Sequence, residues 1–319
     1  MFEDLDIDLG GQWIRGKLWG PVTGLPTIAL HGYLDNANSF DVLAPRLPNH
    51  RIFAMDFAGH GASDHRRPHE LYSGLLDIRD VLAVADHFGW SRFHLIGHSM
   101  GAEIGSQIAG LFPDRVASLV CIDGFCSTND VPVTLEHLAS SVSASFKQGA
   151  RLKVFPTLAA MSARLSDATG QSAASAEAIV ARGHAVVVEG YTWRTDPRIK
   201  GSGPLELTGE QLQQLIQQIT AGTLMIVADL SNDWLQRSLD VVMAGIARVL
   251  EAGGTAVFSL EARKGAGFKL TESGRYAHSR SYVRHIAAEA GLVEQGVTRQ
   301  TVRLEYGEPV LGDLWVFGR

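Results

Sequence analysis

Four short β-rich runs, at residues 27–30, 51–56, 92–96 and 116–123, are separated by segments whose apolar residues recur with helical spacing, notably 75–88 and 100–112. Strands joined through helices return to a sheet in the same direction, so the alternation predicts an α/β fold with a mostly parallel sheet and helices on both faces. Ahead of it, residues 5–9 and 13–19 alternate apolar and polar side chains around Gly10-Gly11 and read as an antiparallel hairpin.

The second half is less regular. From about residue 127 to 203 the alternation lapses into helical pieces rich in Ala and Ser, such as 133–146 and 172–182, a stretch too long for a loop and read as an inserted helical cap. The alternation resumes at 208–219, where Thr208-Gly209-Glu210-Gln211 offers an N-cap and its capping-box partner, and continues with a strand at 223–228. A helix over 234–250, with Trp234, Leu235, Leu239, Val242, Met243 and Ile246 on its apolar face, ends near Gly253-Gly254 and leads to a strand at 255–260. After a helix at 279–290, two alternating segments at 296–306 and 309–317 close the chain as a β-hairpin. The expected organisation is a core in 1–126, a cap in 127–205 and completion of the core by 206–319.

Chemistry concentrates at the ends of the early strands. Gly97-His98-Ser99-Met100-Gly101 fits G-x-S-x-G, follows an apolar strand and opens a helix. Neighbours without side chains let strand and helix approach at a strained turn, which leaves the serine hydroxyl at the carboxyl edge of the sheet, where open α/β folds bind ligands. The helix N-terminus beneath it favours developing negative charge. His31-Gly32-Tyr33 follows the first of the four strands, and Asp56-Phe57-Ala58-Gly59-His60-Gly61-Ala62-Ser63 follows the second.

These three motifs, in this order and on these strands, resemble the α/β-hydrolase superfamily, and the likeness covers roughly residues 1–231, including Gly190-Tyr191-Thr192-Trp193 at the cap exit. The resemblance implies Ser99 as nucleophile and the backbone N–H groups of Tyr33 and Met100 as an oxyanion hole. A serine at this position implies acyl transfer to water rather than the chemistry of the aspartate-nucleophile branches. His31, His60 and His98 then orient loops or line the pocket.

A hydroxyl nucleophile also needs a base and a carboxylate to orient it, and here the chain departs from the family. No Gly-His motif follows the late strands. Instead residues 240–319 resemble the final third of class I methyltransferases, carried by Ala247-Arg248-Val249-Leu250-Glu251-Ala252-Gly253-Gly254, by 256–261 and by Ser273-Gly274-Arg275-Tyr276-Ala277-His278-Ser279. The glycine-rich loop and acid that hold S-adenosylmethionine in that family belong to a part missing here, so the likeness implies a chimeric chain without that cofactor. The helix and strand at 234–260 supply the crossover of a parallel sheet and are expected to continue the same sheet. His278, just before the last helix, is the candidate base; a chain with no competent base is the alternative. The acid is Asp229, Asp123 or, less favourably placed, Asp233.

Composition narrows the partners. With 45% hydrophobic and 19% charged residues the chain has material for a core, and its net charge of −6 without a Lys/Arg block argues against nucleic acid or an anionic membrane surface as partner. No run approaches the roughly 20 apolar residues of a membrane span. The acidic start, MFEDLDIDLGG, is unlike a signal peptide, so the expected location is cytoplasmic. Cys121 and Cys126 read as buried free thiols, and the 12 histidines show no paired metal spacing, so neither metal nor cofactor is expected. The expected activity is that of a serine ester hydrolase on small, fairly apolar esters, with an impaired hydrolase that binds apolar ligands as the alternative. Oligomeric state leaves no signal in the sequence.

Overall fold

The computed structural model describes residues 2–68, 70–126, 139, 152–199, 207–227, 247, 255–261, 268–270, 276–305 and 308–318. Strands β1 (Phe2–Asp8), β2 (Trp13–Trp19), β3 (Leu25–Leu30), β4 (His50–Met55), β5 (Phe93–His98), β6 (Val116–Ile122), β9 (Gly222–Val227), β10 (Thr255–Glu261), β13 (Val293–Glu305) and β14 (Glu308–Gly318) form one ten-stranded sheet in the order β1-β2-β4-β3-β5-β6-β9-β10-β14-β13. It is parallel from β4 to β10 and carries an antiparallel hairpin at each edge.

The pairing of β9 with β10 carries the sheet through the junction of the two sequence resemblances, with Met225 opposite Ala256 and Val227 opposite Phe258. The expected continuous sheet is therefore present. The helix expected at 234–250 lies outside the described residues apart from Ala247, which is buried in the main core.

Alternation along the strands separates two faces. Ile28, Leu30, Phe53, Met55 and Leu95 pack with α1 (Gly74–His87), α2 (Met100–Leu111), α5 (Gly209–Gln218) and α6 (Arg280–Glu289). Ala29, Ile52, Ala54 and Ile96 point the other way, onto the 3₁₀ turns Ala37–Phe40 and Ala44–Arg46. Helix α5 starts with the expected capping box: Thr208 Oγ1 accepts from the Gln211 N–H at 3.2 Å and Gln211 Oε1 accepts from the Thr208 N–H at 3.0 Å.

Of the segment expected to form the cap, residues 152–199 are described. They hold α3 (Leu158–Thr169), α4 (Ala173–Gly183) and a two-stranded hairpin of β7 (His184–Val187) and β8 (Gly190–Trp193), outside the main sheet. The helix expected at 133–146 falls among residues that are not described. A further short ladder, β11 (Phe268–Leu270) with β12 (Tyr276–His278), lies between the segments predicted as a strand at 255–260 and a helix at 279–290. No helix among the described residues is long and apolar enough to cross a membrane.

Candidate active site

Ser99 stands between β5 and α2 with φ 48° and ψ −118°, a backbone conformation that costs a non-glycine residue on the order of 1–3 kcal/mol. Three glycines make it possible. A Cβ on Gly97 would lie 2.4 Å from the Gly101 carbonyl oxygen, one on Gly101 would lie 2.1 Å from that of Leu30, and one on Gly124 would lie 2.5 Å from that of Ser99 itself. Strand, helix and the exit of β6 therefore meet backbone to backbone around the serine, and the Ser99 N–H is anchored on the Ile122 carbonyl at 2.8 Å.

The same contacts bring the start of α2 against the end of β3, where the loop carrying Tyr33 begins. The Tyr33 N–H donates to no group among the described residues. Its side chain and that of Leu34 are 41% and 39% exposed, and Leu34 adopts φ 63°, so the tip of this loop stands out from the sheet edge.

Two of the motif histidines are anchored on backbone. His31, fully buried, donates from Nδ1 to the Gly32 carbonyl at 2.8 Å and accepts the Phe57 N–H on Nε2 at 3.1 Å, and burial lowers its pKa to about 4. His60 is pushed down to about 3 by burial and by neighbouring His31, and its Nδ1 lies 3.3 Å from the Ala58 carbonyl. Both serve as neutral struts for the loops, as expected. His98, half-exposed, places Nδ1 3.6 Å from Asp35 Oδ2.

Asp123 is the candidate acid that the structure describes. Strands β5 and β6 pair with His98 opposite Ile122, so Ser99 and Asp123 occupy successive positions beyond neighbouring strand ends. Asp123 adopts φ 50°, its N–H donates to the Ile226 carbonyl at 2.7 Å, and its buried Oδ1 accepts no hydrogen bond among the described residues. Asp229 and Asp233 lie outside the described residues. His278 closes β12, is 4% exposed and stacks on Tyr282 with ring centroids 6.0 Å apart. No hydrogen bond joins it to Ser99 among the described residues.

Sequence reasoning missed a polar network beside the site. Asp56 is fully buried and accepts the Ala37 N–H at 2.7 Å, the Ala62 N–H at 2.8 Å and Arg182 Nε at 2.7 Å. Burial pushes its carboxyl up, while Arg182 and the two N–H groups pull it back down. Asp196 similarly binds Tyr72 Oη at 2.7 Å and Arg198 at 2.6 Å, which ties the end of the 152–199 segment to the loop after β4. The side chain of Glu103, in the first turn of α2, is raised to about 7 by burial. Asp56 with Arg182 and Tyr72 with Asp196 join parts of the chain 126 and 124 positions apart, so spacing could not reveal them. Among the described residues no group of His, Cys, Asp and Glu side chains is arranged to hold a metal ion.

A family model for the α/β hydrolase fold matches residues 27–193, from β3 through the end of β8. The chain belongs to the α/β-hydrolase family. It is 31% identical to the serine hydrolase-like protein of Danio rerio over 223 residues, 67% of this chain and 68% of that relative. The crystal structure of a hypothetical protein from Pseudomonas aeruginosa PAO1 superposes with a TM-score of 0.69 at 35% identity, over 75% of this chain and 87% of that one. A thioesterase domain from the curacin biosynthetic pathway superposes with a TM-score of 0.68 over 91% of this chain and 98% of its own, and at 20% identity that likeness concerns the fold alone. The hydrolase resemblance of the sequence is thus confirmed, and the methyltransferase resemblance of residues 240–319 lies beyond the family match.

Proposed function

We propose that this chain is a serine ester hydrolase acting through an acyl-enzyme on Ser99. The observation that carries the reading is the elbow itself: a strained serine at a helix N-terminus, held by three glycine contacts at the carboxyl edge of a parallel sheet. The Ser99 hydroxyl attacks the ester carbonyl while an imidazole takes its proton. The developing oxyanion is met by the Tyr33 and Met100 N–H groups, and the protonated imidazole returns the proton to the leaving alkoxide. Water then attacks the acyl-enzyme with the same imidazole as base, releasing the acid and the free serine.

In this reading His278 is the base, supported by its place just before α6 and the packing of β12 beside β10. Asp123 is favoured as the acid by its unpartnered oxygen and its position next to Ser99, with Asp229 as the other candidate. The low charge of the chain and the exposed Tyr33 and Leu34 on the loop beside the elbow fit small, fairly apolar esters, and the segment 127–205 is read as the cap. Residues 240–319 are read as a methyltransferase-like segment recruited to complete a hydrolase core without a cofactor; the parallel β9–β10 pairing supports such a join. Two buried free thiols, Cys121 and Cys126, fit a reducing compartment, hence the cytoplasm.

The alternative, an impaired hydrolase that binds apolar ligands, is favoured by one observation: among the described residues no imidazole hydrogen-bonds Ser99 Oγ. Turnover of a short-chain activated ester separates the two. Hydrolysis abolished in Ser99→Ala and reduced by orders of magnitude in His278→Ala supports the triad. Equal slow rates in wild type and His278→Ala, at roughly 10³-fold over water, support the impaired enzyme.

A further inference from the structure

We propose that Asn36, Asn38 and Arg182 are positioning residues that strap helix α4 to the loop carrying Tyr33, so that α4 sets where the Tyr33 N–H points. The proposal rests on the reading of Tyr33 as an oxyanion donor.

The loop has two fixed ends and a partly exposed tip. At the first end, His31 is clamped between the Gly32 carbonyl and the Phe57 N–H, and the Asp35 N–H closes a turn onto the Gly32 carbonyl at 3.1 Å. The second end is the 3₁₀ turn Ala37–Phe40, capped by Asn36, whose Oδ1 accepts the Asn38 N–H at 3.1 Å. Tyr33 and Leu34 lie between these ends, and the positive φ of Leu34 is sustained only while both ends are held.

The second end is held by α4. Asn36 Nδ2 donates to the Ile179 carbonyl and Asn38 Nδ2 to the Ala178 carbonyl, each at 2.8 Å, across more than a hundred residues of chain. The two asparagines are 1% and 8% exposed, so their amides have no water to fall back on. A carbonyl oxygen has two lone pairs and can take these bonds alongside its helical one. Gly183 leaves room for the arrangement, since a Cβ there would lie 3.2 Å from Asn36 Nδ2. One residue earlier, Arg182 binds Asp56 through Nε at 2.7 Å, and the other Asp56 oxygen accepts the Ala37 N–H at 2.7 Å, in the same 3₁₀ turn. Two carbonyls and the guanidinium thus converge from one helix end on one loop end, a directional docking that apolar packing alone would not specify.

Asn36→Asp isolates the strap. The change keeps Oδ1 for the Asn38 N–H and replaces the Nδ2 donor by a carboxyl oxygen facing the Ile179 carbonyl. Ionised, it repels that carbonyl; protonated, it donates to it again. The charged groups around position 36 are Arg182 on α4, Asp56 after β4, Asp35 in the loop and His98 at the elbow; burial together with Asp56 and Asp35 favours the protonated form against the pull of Arg182.

The test measures backbone amide exchange in peptides covering residues 31–40 together with ester turnover, in wild type, Asn36→Asp and Asn38→Ala. At about pH 8 the Asn36→Asp chain is expected to exchange faster in 31–40 and to lose about 10²-fold in kcat with KM unchanged, the cost of an oxyanion donor displaced by about an ångström. Its kcat relative to wild type should recover as the pH is lowered towards about 5 and the carboxyl protonates. Wild-type exchange in 31–40, or faster exchange with no fall in kcat or a fall that ignores pH, would overturn the strap. If Asn36→Asp does not fold, Asn38→Ala and Arg182→Lys carry the same comparison, and unchanged exchange in both overturns it. Ester turnover independent of Ser99 in the wild type would instead overturn the hydrolase reading, while the exchange data still decide whether α4 holds the loop.

Discussion

Gly101→Ala is the sharpest test of how the elbow is built. An added Cβ would stand 2.1 Å from the Leu30 carbonyl oxygen, 2.5 Å from its carbon and 2.8 Å from the His31 carbonyl oxygen. All three atoms are backbone at the end of β3 or just beyond it, so no side chain can rotate away. The first turn of α2 must lift by about 1 Å, at the upper end of the 1–3 kcal/mol range for overpacking. The lift carries Met100 with it, and with its N–H as the proposed oxyanion donor, a misplacement by that distance is expected to cost about 10²-fold in rate. Gly105→Ala in the same helix is the control: its Cβ would meet Leu119 Cδ1 at 3.4 Å, an accommodating side-chain contact. Helix propensity there favours Ala by up to about 1 kcal/mol. Urea unfolding with a common slope gives the stabilities, and an activated ester gives the rates. Wild-type stability in Gly101→Ala, or equal damage from Gly105→Ala, would refute the backbone-contact reasoning.

Two further outcomes follow from the site. Asp123→Asn is expected to lower kcat by about 10³–10⁴-fold while changing stability by less than about 1 kcal/mol, and unchanged turnover would transfer the acid role to Asp229. Glu103 has a folded-state pKa raised by burial to about 7, so its contribution to stability is present below the unfolded carboxylate value and is lost as pH rises through about 7. Glu103→Gln lacks that loss. Measured by urea unfolding, it should therefore gain on wild type by about 2 kcal/mol between about pH 5 and pH 8, whereas parallel curves would contradict a buried neutral carboxyl.

The parts of this fold that announce themselves in the sequence are those built by local rules. The edge hairpins, the strands β3 to β6 and helices α1, α2 and α5 follow from apolar periodicity and from Gly10-Gly11 and the Thr208 cap, each a short-range signal. The ladders β7–β8 and β11–β12 have strands of 4 and 3 residues, too short for a period of two to be counted. Helix α3 begins at the Thr157 cap, inside a segment rich in Ala and Ser where the strand–helix alternation lapses. At the site, Ser99 was legible because glycines at 97 and 101 are a steric necessity, visible as letters. Asn36, Asn38 and Arg182 were not, because two of them bind backbone carbonyls of α4, which any residue type presents, and Arg182 meets Asp56 across 126 positions. Between the two stands Asp123, whose residue type was suggestive but whose standing rests on φ and on the register of β5 against β6.

The central claim is that Ser99 is an activated nucleophile, and the most direct measurement is covalent labelling by a reactive phosphonate, with the site read by peptide mass spectrometry. The account predicts one phosphonyl group per chain, on the peptide that carries Ser99, and no label in Ser99→Ala. Label on another residue, or equal labelling of wild type and Ser99→Ala, would contradict it.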